Sequence, residues 1–212
     1  MNLSDLEKPF DPSQISWRVG ATNGEKTKGI ALAYIDARDV MERLDAVCGP
    51  ENWQAIYTDA GNGKTCCQIG INVKGNWVWK SNGAGETDFE ADKGAFSDAF
   101  KRAAVLWGVG RYLYGLDSPW VEIEARGKSY TIKQSEMPKL NAVLEKTVRV
   151  FIPRAEKQAF YEQMITCLSS GDEHGAAELW NEWKDDQDRK LILWAMFDSH
   201  QRSAMKALRS AA

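Results

Sequence analysis

The chain has 212 residues, 43% of them hydrophobic, which is enough for one well-packed domain with a smaller appendage and excludes a disordered protein. No run approaches the ~18 apolar residues of a membrane span, and residues 1–12 lack the basic-then-apolar order of a secretory signal, so we expect a soluble, cytoplasmic protein without a membrane partner. A formal net charge of −3 excludes a protein that is basic throughout, so any site for nucleic acid must be a local patch.

Cysteine and histidine are too few and too poorly spaced to indicate a metal site. The four cysteines show no CxxC spacing, and the histidines are His174 and His200, which together make a poor set of zinc ligands. Cys66 and Cys67 would point to opposite faces of a strand, so a disulfide between them is sterically disfavoured. We therefore predict no metal, no cofactor and no disulfide.

The first predicted element is a polar, proline-punctuated segment, residues 1–14, which is typical of a flexible arm. A short extended segment follows at residues 15–19. It leads into a loop over residues 20–29 that is rich in glycine and lysine and carries Lys26 and Lys28.

A helix and a sheet are predicted next. The amphipathic repeat over residues 34–47 predicts a helix that ends at Cys48-Gly49-Pro50. Three short apolar runs, separated by turns rich in glycine and asparagine, then predict an antiparallel meander. These runs are residues 53–57, 64–73 and 76–80.

Helices dominate the remainder of the chain. A long helix is predicted at residues 89–107, and from about Gly127 the pattern changes to helices at residues 138–150, 153–168, 172–183 and 188–208. The predicted fold class is α+β, with a β-β-β-α core in which an antiparallel meander packs on a long helix, followed by a C-terminal helical unit. The predicted domains are the arm at residues 1–14, the core at residues 15–130 and the helical region at residues 131–212.

The most informative segment is KGAFSDAFKRAAVLWGVGRYLYGLDSPW, which begins at Lys93. At about 100° per residue, Lys101 and Arg102 project from one side of the helix, with Asp98 between them. The opposite face gathers apolar side chains that can pack on the meander, namely Phe96, Ala99, Phe100, Ala103 and Trp107. Taken alone, the charged side is as typical of an ordinary solvated helix surface as of a binding surface.

Val105 weakens the solvated interpretation, because it falls on the charged side and nearly opposite Phe96. An interface or a groove is a better setting for this side chain. The helix is predicted to end at Gly108. The run that follows contains Tyr112 and Tyr114, which we interpret as core side chains rather than as platforms for base stacking.

Three segments together carry a resemblance to a known family. The first is SWRVGATNGEKTKGIALAYIDARDVMERLDAVCGPENW from Ser16, the second is GNGKTCCQIGINVKGNWVWKSNGAG from Gly61, and the third is the helix that begins at Lys93. In this order, over about residues 15–120, they resemble the Rad52 family of single-strand annealing proteins, particularly its phage-encoded, Sak-like members. The combination is much more specific than any one segment.

The resemblance implies an ATP-independent protein that anneals single-stranded DNA during homologous recombination and repair, in a bacterial or phage-infected cell. It implies a β-β-β-α core that assembles into an oligomeric ring, with single-stranded DNA held by its backbone in a basic groove. The matching positions that would line this groove are Arg18, Tyr34, Lys101 and Arg102.

The resemblance also implies a second, outer DNA site, where Lys64 in the hairpin turn matches one of the family's lysines. Two departures matter. The basic residue expected one helical turn after Lys101 and Arg102 is Val105 here, and the outer site's other lysine falls in a shortened loop. Three further lysines complete the candidate DNA-binding set: Lys26, Lys28 and Lys93.

The chemistry of these side chains suits annealing. Contacts of arginine and lysine to phosphate are blind to base sequence, so specificity is left to Watson–Crick pairing between the strands. A tyrosine such as Tyr34 would support a base or sugar by stacking, worth about 1–3 kcal/mol where it occurs, although a tyrosine at a helix start is also typical of core packing.

A catalytic function is one alternative. The GNGKT segment superficially resembles a phosphate loop, but the GxxxxGK[ST] pattern is not met because position 58 is threonine, and a strand rather than a helix is predicted to follow. Both histidines lie in the tail, and no paired carboxylates stand in a recognisable setting. We therefore predict a protein that is not an enzyme.

A passive single-strand binder that does not anneal is the other alternative. An oligonucleotide-binding barrel needs five strands, and a long helix after three or four strands argues against it. In the tail, the apolar set Leu179, Trp180, Trp183, Trp194 and Phe197 is interpreted as core. The rival interpretation makes part of this set a docking surface for a single-strand DNA-binding protein.

Overall fold

The computed structural model describes residues 1–84 and 91–211 and divides the chain into two compact units, Met1–Arg149 and Val150–Ala212. The strands are β1 (Ser16–Thr22), β2 (Lys28–Tyr34), β3 (Trp53–Asp59), β4 (Thr65–Val73), β5 (Asn76–Ala84), β6 (Trp120–Arg126) and β7 (Ser129–Ile132). The helices are α1 (Ala37–Cys48), α2 (Ala91–Leu106), α3 (Met137–Val150), α4 (Arg154–Ser170), α5 (Glu173–Asn181), α6 (Gln187–Trp194) and α7 (Ser199–Ala211). The predicted α+β class is confirmed.

The predicted meander is the antiparallel sheet β3-β4-β5. On its central strand, Cys67, Ile69 and Ile71 are completely buried, as the two-residue period of a strand requires when one face meets the core. On the other face the ring of Trp79 lies over Gly70, where an added Cβ would come within 2.8 Å of it. The four cysteines are free thiols.

Helix α2 covers the buried face of this sheet. Ala99, Ala103 and Ala104 are completely buried, and such small side chains let a helix approach a sheet closely. At the end of the helix, Trp107 donates a hydrogen bond of 3.1 Å from Nε1 to the carbonyl of Ile69. The apolar face differs from the prediction at Phe96, which is 52% exposed and makes an edge contact with the ring of Tyr57.

A second sheet, in the order β1-β2-β6-β7, was not predicted from the sequence. Strands β1 and β2 form a hairpin that includes residues 20–29, which were interpreted as a loop, and half of these ten residues lie in its strands. Strands β6 and β7 lie on either side of Gly127, in residues to which no helix or strand was assigned from the sequence. The period of two was present in β6, since Val121 and Ile123 are buried and alternate with exposed glutamates.

The first fourteen residues are not the flexible arm that their polarity suggested. Leu6 and Phe10 are buried in the main core, and short 3-10 helices cover Leu3–Glu7 and Pro12–Gln14. The guanidinium of Arg43, on α1, donates hydrogen bonds to the carbonyls of Asp5, Lys8 and Pro9 and lies 4.1 Å from the centre of the Phe10 ring. The segment is polar on average, so the sequence did not reveal that Leu6 and Phe10 are buried. It also did not reveal that the distant Arg43 binds the backbone of the segment.

The boundary between the units also differs from the prediction of residue 130. Leu140 and Leu144, on α3, are buried with core residues of the first unit, so this unit continues to Arg149. A cut near residue 130 would divide β7 and remove α3.

The second unit is helical, as predicted, with a core that contains Phe197 and is flanked by Trp180, Trp183 and Trp194. The single helix predicted at residues 188–208 is two helices, α6 and α7. The Asp198 carboxylate accepts a 2.8 Å hydrogen bond from the backbone N–H of Gln201, and the side-chain oxygen of Gln201 accepts one from the backbone N–H of Asp198. This pair of hydrogen bonds caps the start of a new helix. Within the described residues, no helix has the length and apolar character needed to cross a bilayer.

The anchoring of the N-terminal segment can be tested with Arg43→Ala. We expect the free energy of unfolding to fall by about 2 kcal/mol, because a hydrogen bond from a charged donor contributes roughly 1.5–3 kcal/mol. Hydrogen exchange of residues 1–14 should rise in the same variant. The matched control is Arg38→Ala, on the same helix, whose side chain is 84% exposed and pairs with Asp36. Equal effects of the two substitutions would contradict the anchoring role.

Candidate nucleic-acid interface

A cleft of about 520 Å³ opens in the first unit between the β1–β2 hairpin, α2 and the segment that follows α2. The hairpin contributes Trp17, Arg18, Leu32, Ala33, Tyr34 and Ile35 to its lining. Helix α2 contributes Asp98, Lys101, Arg102 and Val105. The following segment contributes Val109, Gly110, Leu113, Tyr114, Leu116 and Ser118. The cleft therefore depends on residues that are far apart in sequence.

The hairpin places Arg18 and Tyr34 on the same side of the β1-β2-β6-β7 sheet. In the register of β1 and β2, Arg18 faces Leu32 and Ser16 faces Tyr34, so these side chains share one face. Ala31, one residue out of phase, is completely buried on the other face. Tyr34 ends β2 and does not start a helix, because α1 begins at Ala37 after the N-cap Asp36.

Helix α2 presents its charged side to the cleft because its small apolar side chains face the β3-β4-β5 sheet. Lys101, Arg102 and Val105 line the cleft together, as predicted from their helical spacing. Arg102 donates a hydrogen bond of 2.9 Å from Nε to the Asp98 carboxylate, one helical turn earlier. This carboxylate holds the pKa of the Arg102 guanidinium above its ordinary value.

The two sides of the cleft meet at Lys101 and Tyr34, where the lysine Nζ lies 5.8 Å from the centre of the tyrosine ring. This is within the range of a cation–π contact. Asp36 lies beside this pair. Hydrogen bonds from the side chain and the backbone of Arg38 lower the pKa of Asp36 to about 2, and the charge of Lys101 acts in the same direction.

The segment after α2 closes the cleft where the backbone of Gly110 comes close to the side chain of Ile35. Gly110 has a φ of +66°, and a Cβ at this position would lie 2.9 Å from Cδ1 of Ile35. Arg111 donates hydrogen bonds to the carbonyls of Val105 and Leu106, which caps the end of α2. The following 3-10 helix, Arg111–Gly115, is thereby held against the end of β2.

The two tyrosines of this segment have different environments. The hydroxyl of Tyr112 accepts a 3.1 Å hydrogen bond from the Phe10 amide, so its interpretation as a core side chain is confirmed. Tyr114 is 74% exposed at the cleft, so the same interpretation was wrong for it. A spacing of two residues could not separate these roles, because the segment is a 3-10 helix rather than the strand or turn considered from the sequence.

Among the described residues, the lining carries three cations, Arg18, Lys101 and Arg102, and one carboxylate, Asp98, in a chain whose formal net charge is −3. No histidine or cysteine is among the residues that line it. Local positive charge beside exposed aromatic rings suits a polyanion that also carries planar groups. Elsewhere, in residues 1–84 and 91–211, no group of three histidine, cysteine or acidic side chains is placed to hold a metal ion.

Three of the other predicted lysines, Lys26, Lys28 and Lys64, are not among the residues that line this cleft. Lys26 occupies the β1–β2 turn with a φ of +56°, and Lys28 begins β2. At ~3.3 Å per residue, Lys28 lies about 20 Å along the strand from Tyr34. Lys64 is in the β3–β4 turn of the other sheet. Lys93 is in the first turn of α2, and its side chain lies outside the described residues.

Comparison with known proteins points to DNA repair. A model of the Rad52/22 family of double-strand break repair proteins matches residues 2–132. The chain is 39% identical over 127 residues to the single-stranded DNA-binding protein DdrA of Deinococcus radiodurans, covering 58% of this chain and 61% of the relative. It is 38% identical over 126 residues to DdrA of Deinococcus deserti, covering 57% of this chain and 62% of the relative. The chain thus spans about three fifths of the length of these relatives.

The role of Gly110 in closing the cleft can be tested by Gly110→Ala. We expect the free energy of unfolding to fall by at least 1–2 kcal/mol, roughly the backbone cost of a left-handed conformation for alanine, with the contact to Ile35 added to it. Gly115→Ala is the matched control, because a Cβ there meets nothing within 4 Å. Denaturant unfolding of both variants gives the comparison, and two equal midpoints would show that the close approach does not hold the segment.

Proposed function

The chain belongs to the Rad52/22 family of double-strand break repair proteins, and we propose that it anneals complementary single strands of DNA without hydrolysing nucleotide. The observation that carries this proposal is the cleft that Arg18, Lys101 and Arg102 line together with Tyr34. The names of the two Deinococcus relatives support binding of single-stranded DNA, and the family supports a role in recombination and repair. We expect this work to take place in the cytoplasm of a bacterial or phage-infected cell.

We propose that the three cations of the cleft bind the phosphate backbone of the DNA strand. Arginine and lysine contacts to phosphate do not depend on base identity, so the bound strand keeps its base edges available for a complementary strand. Arg102 can exchange its carboxylate partner for a phosphate at little cost, because exposed pairs one helical turn apart contribute only about 0.3–0.5 kcal/mol. Tyr34 and the exposed Tyr114 would support bases or sugars by stacking.

The proposed assembly is a ring of identical subunits. Among the described residues, β3 and β5 each pair with β4 alone, so the β3-β4-β5 sheet has two open edges on which further strands can pair. One cleft of about 520 Å³ holds only a short piece of a strand. Neighbouring subunits in a ring would join such clefts into a continuous track. The outer site at Lys64, and contributions from Lys26, Lys28 and Lys93, belong to the same proposal.

We propose no catalytic step. The GNGKT segment forms the β3–β4 turn and is followed by a strand from Thr65, whereas a phosphate-binding loop leads into the N-terminus of a helix. An assay of ATP hydrolysis in the presence of single-stranded DNA tests this directly. Hydrolysis stimulated by DNA would overturn it.

Annealing is distinguished from passive binding by mixing complementary fluorescent strands with the purified protein. We expect energy transfer between the strands to develop faster with protein than without it, and without ATP. A protein that only protects its strand would slow pairing. Light scattering on the same sample tests the ring, because a 23.8 kDa monomer with full annealing activity would contradict it.

The cleft itself is tested by Lys101→Ala and Arg102→Ala. Each should weaken binding of oligonucleotides of any sequence and lower the slope of log affinity against log salt by about 0.7, because each lost phosphate contact retains counterions on the strand. The matched control is Lys146→Ala, an exposed lysine on α3 of the same unit that does not line the cleft. Normal binding by either cleft variant at moderate salt would remove α2 from the DNA track.

Val105→Arg tests the same track in the opposite direction. A cation one turn beyond Lys101 and Arg102 should meet the same backbone, so we expect tighter binding and a salt slope steeper by about 0.7. Tighter binding with an unchanged slope would indicate stacking or packing instead. Weaker binding or aggregation would indicate that Val105 is buried at a subunit contact.

A further inference from the structure

The C-terminal unit carries a surface cavity of about 390 Å³ that has no part in the proposed annealing cleft. Its lining comes from three helices: Trp180 on α5, Gln187, Lys190, Leu191 and Trp194 on α6, and Lys206 on α7. Cavities of this size accommodate a large side chain with its flanking backbone. Helical spacing explains the arrangement, because residues 187, 190, 191 and 194 of α6 recur on one face.

The floor of the cavity is aromatic and is only partly used by the core of the unit. The rings of Trp180 and Trp194 lie 5.8 Å apart at 60° to each other, and both side chains are half-buried. Leu191 is 67% exposed beside them. Exposed leucines are common singly, but here the leucine adjoins two tryptophans at the mouth of a concavity.

The walls of the cavity are cationic. The Nζ of Lys190 lies 5.4 Å from the centre of the Trp180 ring, and that of Lys206 lies 5.9 Å from the centre of the Trp194 ring. Neither ammonium group forms an ion pair with any described carboxylate, and no acidic residue lines the cavity. Residues 150–212 contain eight lysines and arginines and ten acidic residues, so the unit as a whole has a negative formal charge. The two lysines therefore form a local positive site on a unit that is negative overall.

We propose that this cavity binds an acidic peptide segment of a partner protein that inserts one bulky apolar side chain. The apolar side chain would contact Leu191 and the two tryptophans, while carboxylates on its flanks would pair with Lys190 and Lys206. Contacts of this kind combine an apolar anchor with charges that form no ion pair with the described carboxylates of the free protein. The site rests on its own geometry and does not depend on the annealing cleft.

Nucleic acid fits the cavity less well than a peptide. The rings of Trp180 and Trp194 stand at 60° to each other, so one planar base cannot stack flat on both of them. A long polyanion would also run onto a unit whose net charge is negative, while a short acidic segment would meet only the two lysines. A single-strand DNA-binding protein with an acidic segment is the class of partner that would connect this cavity to the proposed function.

The test uses the full chain and fluorescein-labelled dodecapeptides with six aspartates and one phenylalanine, whose position is moved along the panel. We expect saturable binding by fluorescence anisotropy, weakened by roughly tenfold in Lys190→Gln/Lys206→Gln, since two partly screened ion pairs are lost. Leu191→Ser should weaken it several-fold. Replacing the phenylalanine by alanine, or the aspartates by asparagine, should have effects of the same kind. Lys184→Gln, an exposed lysine of the same unit outside the cavity, should bind as the unaltered protein does.

Three outcomes of the peptide measurements would overturn the proposal. They are no saturable binding by any peptide of the panel, binding that the double variant leaves unchanged, and binding that ignores the phenylalanine. A double variant that loses affinity for oligothymidine as much as for peptide would make the cavity part of a nucleic-acid track instead. Strand-annealing rates of the same variants should equal those of the unaltered protein, so failure of this site and failure of the annealing proposal give different results.

Discussion

The close contact between α2 and the β3-β4-β5 sheet is the constraint on which the cleft depends. A row of alanines with Phe100 is buried against Cys67, Ile69 and Ile71, and this burial fixes the rotation of the helix about its axis. Because the alanine face of α2 packs on the sheet, Lys101 and Arg102 must point away from the sheet. The β1–β2 hairpin meets them there, with Arg18 and Tyr34 on the facing side.

Local charge matters more in this protein than total charge. In a chain of net charge −3, the described residues still present three cations and one carboxylate in a single concave surface. Salt screens such charges over roughly 8–10 Å, so the acidic residues on distant surfaces have little effect inside the cleft. Composition therefore describes the whole chain and gives no measure of the site.

The shape of the cleft also depends on segments that contribute no charged side chain to its lining. Gly108 and Gly110 both have positive φ values and stand close to Glu7 and Ile35, respectively, so the chain can turn tightly after α2. The N-terminal segment, held by Arg43, contributes Phe10, whose amide bonds to Tyr112. These contacts fix the 3-10 helix that presents Tyr114.

The sequence by itself determined the elements whose signals are local: the meander, the long helix, the C-terminal helices and the charged side of α2. It also predicted that Arg18, Tyr34, Lys101 and Arg102 belong together, although this came from a resemblance and not from periodicity. Tertiary structure alone decided that residues 1–14 are anchored, that β6 and β7 complete a second sheet, and that Tyr112 is core while Tyr114 is exposed. The physical reason is that each of these depends on a partner distant in sequence, such as Arg43 for the N-terminal segment and Phe10 for Tyr112, and a local pattern contains no information about that partner.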